Sequence, residues 1–289
     1  NMTLDEVAIW NISLSADKIA EHAGAKIVDY SNYLNNGTRN FNSTSDFGRN
    51  FTDGKFSKAL VFDGVNDDIN ITHSNSLNAK RITVALWVKY SDTAQTQFII
   101  KRNSWSMYKR PSTDELFWVP IVGGSSSSAT SSVPSINEWH HIVGTYDGSV
   151  EKLFIDGIER DSDSTLSGDI DSTTNDIIIG RDTVGSQQYN GTIDELSIWN
   201  ISLTPDKIAE HAGAKIIDYS NYGNNGTRRF NSTSDFGRNF TDGKFSKALV
   251  FDGVNDYVNV TTTGLSNSVV NTFSIFLWVN AKQHGADPS

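Results

Sequence analysis

The chain has 289 residues and a net charge of −10, from 24 Lys and Arg against 34 Asp and Glu. That balance argues against a nucleic-acid partner, whose phosphates need clustered cations. Cysteine is absent, which excludes disulfides, thiolate metal sites and a Cys nucleophile, and no apolar run reaches the roughly 18 residues of a membrane span.

The first residues already belong to a repeat. Asn1–Thr72 returns as Asn190–Thr261, an offset of 189 positions, with 60 of 72 residues identical. After a two-residue slip the match continues from ITVALWV at 82 to FSIFLWV at 273. The period is far longer than the roughly 20–50 residues of a solenoid unit, so a whole domain repeats in tandem. Residues 1–23 read as the closing strand and helix of a preceding repeat, 24–211 as one complete domain, and 212–289 as the first half of the next. Both ends fall inside a unit, which predicts a window within a longer array.

Within the complete unit the strands come in order. DINIT (68–72), ITVALWV (82–88), HHIVGTY (140–146), KLFIDG (152–157) and DIIIG (176–180) alternate or carry β-branched runs. Asp-Gly pairs at 63–64, 147–148 and 156–157 mark turns, and GGSSSSATSS (123–132) reads as a flexible hairpin tip. In SLTPDKIAEHAG, Thr204 is the expected N-cap, Pro205 the first helical residue and Gly213 the stop. Short strands with regular turn signals and one short helix per repeat predict an all-β antiparallel sandwich of the jelly-roll type.

Five ordered segments resemble the laminin-G-like, concanavalin A-like domains of prokaryotic cell-surface proteins. They are DYSNYGNNGT (218–227), GKFSKALVFDGVNDYVNV (243–260), ITVALWVKYS (82–91), NEWHHIVGTYDGSVEKLFIDGIE (137–159) and YNGTIDELSIWNISLTPDKI (189–208). Asp68 departs from the aromatic that Tyr257 supplies in the second copy, and 103–135 matches little. The resemblance implies a structural calcium between the Gly/Asn-rich loop (Asp29, Asn32, Asn35, Gly37) and the opening of the closing strand (Asp194, Glu195). Calcium takes six to eight oxygen ligands. The alternative is a turn whose Asn and Asp satisfy their own backbone.

For catalysis the residues offer little. No Glu-x-Asp-x-Glu strand exists, Asp161 and Asp163 read as a solvated turn, and His140 and His141 read as structural, with only one facing inward. No catalytic residue is assigned. Trp105, Tyr108 and Trp118, in the divergent stretch, are candidates for stacking on sugar, with Tyr189 a further one. Twelve Asn-x-Ser/Thr sequons occur, at Asn1, Asn11, Asn36, Asn42, Asn50, Asn70, Asn190, Asn200, Asn225, Asn231, Asn239 and Asn259, with none between His73 and Tyr189. That clustering predicts a glycan-coated face. The expected function is a non-enzymatic extracellular tandem-repeat structural protein, forming a cell-surface fibre, stalk or adhesin arm from copies of itself in a head-to-tail array. The second reading is a carbohydrate-binding module array on a larger surface protein or enzyme, with a polysaccharide or glycoprotein partner.

Overall fold

The computed structural model describes residues 26–29, 31–41, 51–55, 58–91, 97–110, 113–185, 187–213, 215–216, 226–229, 240–242, 247–251, 257–260 and 279. The expected closing strand and helix at 1–23 lie outside the described residues. The strands of the first unit begin with β1 (Lys26–Ile27), β2 (Gly37–Asn40), β3 (Phe51–Asp53), β4 (Lys58–Asp63), β5 (Asp68–Ile71) and β6 (Ile82–Tyr90). There follow β7 (Gln97–Lys101), β8 (Trp105–Arg110), β9 (Glu115–Val122), β10 (Ser125–Ser126), β11 (Ala129–Ser132) and β12 (Trp139–Tyr146). The unit ends with β13 (Glu151–Ile155), β14 (Ile158–Asp163), β15 (Ile177–Ile179), β16 (Asn190–Trp199) and the helix α1 (Pro205–His211).

Among the described residues these strands form two antiparallel sheets. The first has the order β1-β2-β5-β15-β7-β8-β9-β10, with β11 also on β9; the second runs β14-β13-β12-β6-β16-β4-β3. Their inner faces pack on each other as the expected sandwich. The alternation in β6 shows why. Ile82, Val84, Leu86, Val88 and Tyr90 all point inward and are buried, while Thr83, Ala85 and Trp87 point out. Opposite them the first sheet supplies Ile99, Trp105, Met107 and Trp118. Each large apolar side chain so buried contributes about 1.5–3 kcal/mol.

The last strand is central. β16 runs between β6 and β4, pairing Ile193 with both Val88 and Leu60. A bulge between Asp194 and Ser197 shifts its register on β6, and Glu195 there takes φ 48°. Beyond β16 the chain folds back over the outer face of the second sheet. Thr83 Oγ1 donates to Ile201 O and accepts from Leu203 N, both at 2.8 Å. Thr204 then caps α1, Pro205 opens it, and Gly213 at φ 70° follows its end, as the sequence predicts. Ile208 plugs the helix onto Ala85, Val143 and Phe154.

The serine tract forms the expected hairpin, but its tip is held. β10 and β11 both pair back onto β9, and the Asp171 carboxylate accepts the N–H groups of Gly123 and Gly124 at 2.7 Å each. One expectation needs correction. Asp161 and Asp163 are not in a solvated turn but on β14, side by side with Leu153 and Glu151.

The repeat reappears in the pairing. β17 (Lys215–Ile216), β18 (Gly226–Arg229), β19 (Phe240–Asp242), β20 (Lys247–Leu249) and β21 (Tyr257–Val260) follow α1. Lys26↔Thr38 becomes Lys215↔Thr227, Thr38↔Asn70 becomes Thr227↔Asn259, and Phe51↔Leu60 becomes Phe240↔Leu249. Every one of these pairs is displaced by 189 positions.

Candidate functional site

The chain's return over the second sheet leaves a groove of about 350 Å³ beside α1. Trp87 and His141 form its floor, their rings 5.1 Å apart, and Trp199 and His211 one wall, 5.2 Å apart. Glu195 and Glu210 face it from the bulge and the helix. Lys55 Nζ sits 4.6 Å from the Trp87 ring centroid. His141 is buried, and its Nδ1 has no hydrogen-bond partner. Burial pushes its pKa down to about 3, with the nearby His211 and Lys55 adding to the effect, so the ring is neutral. Glu195 is shifted up by burial and by Asp194. Indoles, a neutral imidazole, carboxylates and the Ser197 hydroxyl suit a polar ligand with aromatic flanks.

Of the adjacent histidines only His140 faces inward, opposite Val88, as the alternation predicts; His141, opposite Trp87, faces outward and is buried as well because α1 and Lys55 cover it. His140 points inward at a second cleft, of about 340 Å³, with Ser131, Ser135, Asp156 and Arg160. Here Ser135 Oγ lies 3.1 Å from His140 Nε2, and His140 Nδ1 lies 2.9 Å from Asp156 Oδ2. That is the spacing of a Ser-His-Asp triad. The proton directions oppose one. Ser135 Oγ donates to Glu138 Oε2 at 2.7 Å, so its one proton is directed to a carboxylate and not to the imidazole. Asp156 also accepts the His141 N–H at 2.9 Å. The arrangement staples β12 to the β13–β14 turn. Ser135 and Asp156 were missed in the sequence because neither stands beside His140 along the chain.

The structure does not bring together the two halves of the calcium set. Asp29, Asn32, Asn35 and Gly37 lie at the β1–β2 edge of the first sheet, while Asp194 opposes Trp87 on the outward face of the second. The side-chain oxygens of Asp29, Asn35 and Asp194 already accept hydrogen bonds. Asp29 Oδ1 accepts from Ser31 N, and its Oδ2 from Ser31 Oγ and Asn35 N, all at 2.8 Å. Asp194 accepts from Lys55 N at 2.7 Å and Glu195 N at 2.9 Å. Asn35 Oδ1 accepts from Ser76 Oγ at 3.1 Å, and Asn32 and Glu195 are exposed. A Cβ at Gly37 would stand 2.6 Å from Ile69, so packing explains that glycine. The donors are those of a self-satisfied turn, and these residues do not fit one calcium cage.

The sugar candidates divide. Trp105 and Trp118 are 1% and 0% exposed and pack on each other inside the sandwich, and Tyr189 is 1% exposed. None offers a face to a sugar. The alternation of β8 and β9 with inward Met107 and Leu116 put them there. Tyr108 points outward, half-exposed, stacked on Phe117 at 5.2 Å and 6°. Of the sequons, Asn200 and Asn259 are exposed, and Asn36, Asn70 and Asn190 half-buried. Asn1, Asn11, Asn42, Asn50, Asn225, Asn231 and Asn239 lie outside the described residues.

Comparison with known proteins supplies the relatives. The family profile Laminin_G_3, described as the concanavalin A-like lectin/glucanases superfamily, matches residues 63–209. The chain is 28% identical over 149 residues to the sushi, von Willebrand factor type A, EGF and pentraxin domain-containing protein 1 of Rattus norvegicus, covering 46% of this chain and 4% of that protein. It is 26% identical over 156 residues to usherin of Mus musculus, covering 48% and 3%. The match thus spans only a small part of these relatives' length. The binding domain of Botulinum neurotoxin serotype G superposes with a TM-score of 0.50 at 17% identity, over 81% of this chain and 62% of that one. At that identity the likeness is one of fold.

Proposed function

Because the chain belongs to the concanavalin A-like lectin/glucanases superfamily, we propose that it is a non-enzymatic repeat of an extracellular structural protein, built in tandem into a cell-surface fibre, stalk or adhesin arm. The observation that carries this reading is the 189-residue repeat, reproduced pair by pair from β1–β2 to β17–β18. A short junction supports it. Only residues 212–214 separate α1 from β17, too few for a flexible linker. Identical junctions give identical geometry, and a repeated heterologous contact extends without closing. Glycans at outward sequons such as Asn200 and Asn259 suit such a surface.

Electron microscopy of the native material tests this. Regular filaments with an axial repeat of one or two domains are expected, and dispersed particles would refute the fibre. The half-exposed Tyr108, stacked on the buried Phe117 that Arg110 also covers at 4.2 Å from its ring centroid, favours the second reading of a sugar-binding array. A glycan-binding screen in which Tyr108→Ala loses binding distinguishes the two.

A further inference from the structure

The acids that the fold leaves unexplained lie at the mouth of the sandwich, where β13 and the edge strand β14 face the turn between β10 and β11. Glu151 is the cross-strand neighbour of Tyr146 on one side and Asp163 on the other, so the three side chains share the inner face of the second sheet. Asp161 points the same way and is satisfied, accepting from Thr130 N at 2.7 Å and Ser162 N at 2.9 Å. Glu151 is not. It is 0% exposed; Oε1 accepts from Ser127 Oγ at 2.6 Å, and Oε2 has no partner. Asp163 is its cross-strand neighbour and accepts from Thr165 N at 2.6 Å. The single proton of the Ser127 hydroxyl goes to Glu151, which leaves the Ser127 lone pairs on the side of the carboxylates.

A buried carboxylate without a counter-charge is costly. Burial pushes Glu151 up to about 7, against the Ser127 hydrogen bond and reinforced by Asp163 and Asp161. Among the described residues no Lys, Arg or His forms an ion pair with Glu151, Asp161 or Asp163; Lys152 is turned to Glu159 and Arg81 to Asp169. The local chemistry is all oxygen.

We propose that Glu151, Asp163 and the Ser127 hydroxyl hold a calcium-class divalent cation between the β13–β14 edge and the β10–β11 turn. A hard cation is the partner such oxygens select, and calcium accepts irregular geometry completed by water. Among the described residues no three acidic or His side chains converge as a ready metal cage. Two carboxylates and a hydroxyl therefore set a weak affinity, in the range of roughly 0.1–1 mM seen for extracellular modules. Ser127 follows a strand of the first sheet, and both carboxylates belong to the second. The ion ties the sheets together at their open edge. The place and the ligands differ from the Asp29–Asp194 set.

The test is thermal unfolding of the full chain at pH 8, stripped with chelator and titrated with CaCl₂ to about 10 mM, above that affinity range. A rise in Tm of about 3–6 °C is expected at ten times the midpoint concentration. Glu151→Gln removes a buried charge, folds without calcium at least as stably, and loses the rise. Asp163→Asn, on a half-exposed side chain, loses it too, while Asp29→Asn and Asp194→Asn keep it. Terbium luminescence excited through Tyr146 reports the same site and disappears in Glu151→Gln. No calcium-dependent rise in the wild type, or an unchanged rise in Glu151→Gln and Asp163→Asn, overturns the proposal.

Discussion

Gly144 sits on the inner face of β12, and Trp118 lies across it from β9. A Cβ at this position would stand 2.2, 2.5 and 2.6 Å from three Trp118 ring atoms. Contacts of ordinary van der Waals length begin near 3.4 Å, so the ring would have to retreat by about 1 Å. It has nowhere to go. Trp118 is 0% exposed, Trp105 packs on it at 6.0 Å, and its Nε1 donates to Thr145 O at 2.9 Å. Gly144→Ala therefore combines overpacking, about 1–3 kcal/mol, with the strained or lost indole hydrogen bond, about 1 kcal/mol. The sum is about 3 kcal/mol. With a urea m-value of about 2 kcal/mol/M, the midpoint of unfolding by far-UV circular dichroism falls by about 1.5 M. Combining Gly144→Ala with Trp118→Leu makes room for the methyl group, so the two changes couple by more than about 1 kcal/mol. A midpoint shift below about 0.3 M for the single variant, or strict additivity in the pair, would refute the packing account.

Two further predictions concern the second sheet. His141 has a pKa of about 3 when folded, below its unfolded value, so the unfolded state takes the extra proton. Stability therefore declines as pH falls below about 6.5, by roughly 2 kcal/mol at pH 5. His141→Leu abolishes that contribution, and equal slopes for the two proteins between pH 7 and 5 would show it absent. At Gly191, with φ 150°, a Cβ would meet Lys89 O at 2.4 Å in the β16–β6 ladder. Gly191→Met, which copies the residue at the matching position of the first repeat, costs at least about 3 kcal/mol of unfolding free energy; calorimetry giving an unchanged Tm would refute it.

Much of the fold was legible because it rests on local periodicity. Alternation in ITVALWV and HHIVGTY names the inner faces, and Thr204-Pro205 names the helix start. What was not legible depended on partners distant in sequence. Asp171 fixes the Gly123–Gly124 tip from nearly fifty residues away, so the serine tract read as flexible. Trp105 and Trp118 stand as sugar candidates in the sequence because the divergent stretch 103–135 offers no family strand to place them on, although their spacing from Met107 and Leu116 carries the signal. The loop acids illustrate the opposite case. Asn and Asp in a turn can bind a cation or their own backbone, and composition alone does not separate the two. The departure at Asp68 also becomes intelligible. Buried, it pairs with Arg181 Nε at 2.7 Å and Asn40 Nδ2 at 2.8 Å. In the second copy both members of the cross-strand pair change together, Asn40↔Asp68 becoming Arg229↔Tyr257.

The topology places a constraint on a tandem array of such units. β16 is the last strand of its unit and lies between β4 and β6, the neighbours formed some 130 and 110 residues earlier. The second sheet therefore cannot be completed until the end of the unit is available, which raises contact order and slows folding. Until then β4 and β6 present open ladder edges, the surfaces most prone to capture a strand from elsewhere. In an array of near-identical repeats the competing strands are close copies, as Asn1–Trp10 is of Asn190–Trp199. Discrimination must then come from the few positions where copies differ. Gly191 against Met2 is such a position, because Lys89 O lies where the extra side chain would begin. The helix gives a second means. Only three residues separate α1 from β17, so a strand that entered the wrong slot would carry its helix and the following strand with it. Short junctions and sparse substitutions both favour the pairing of each unit with its own closing strand.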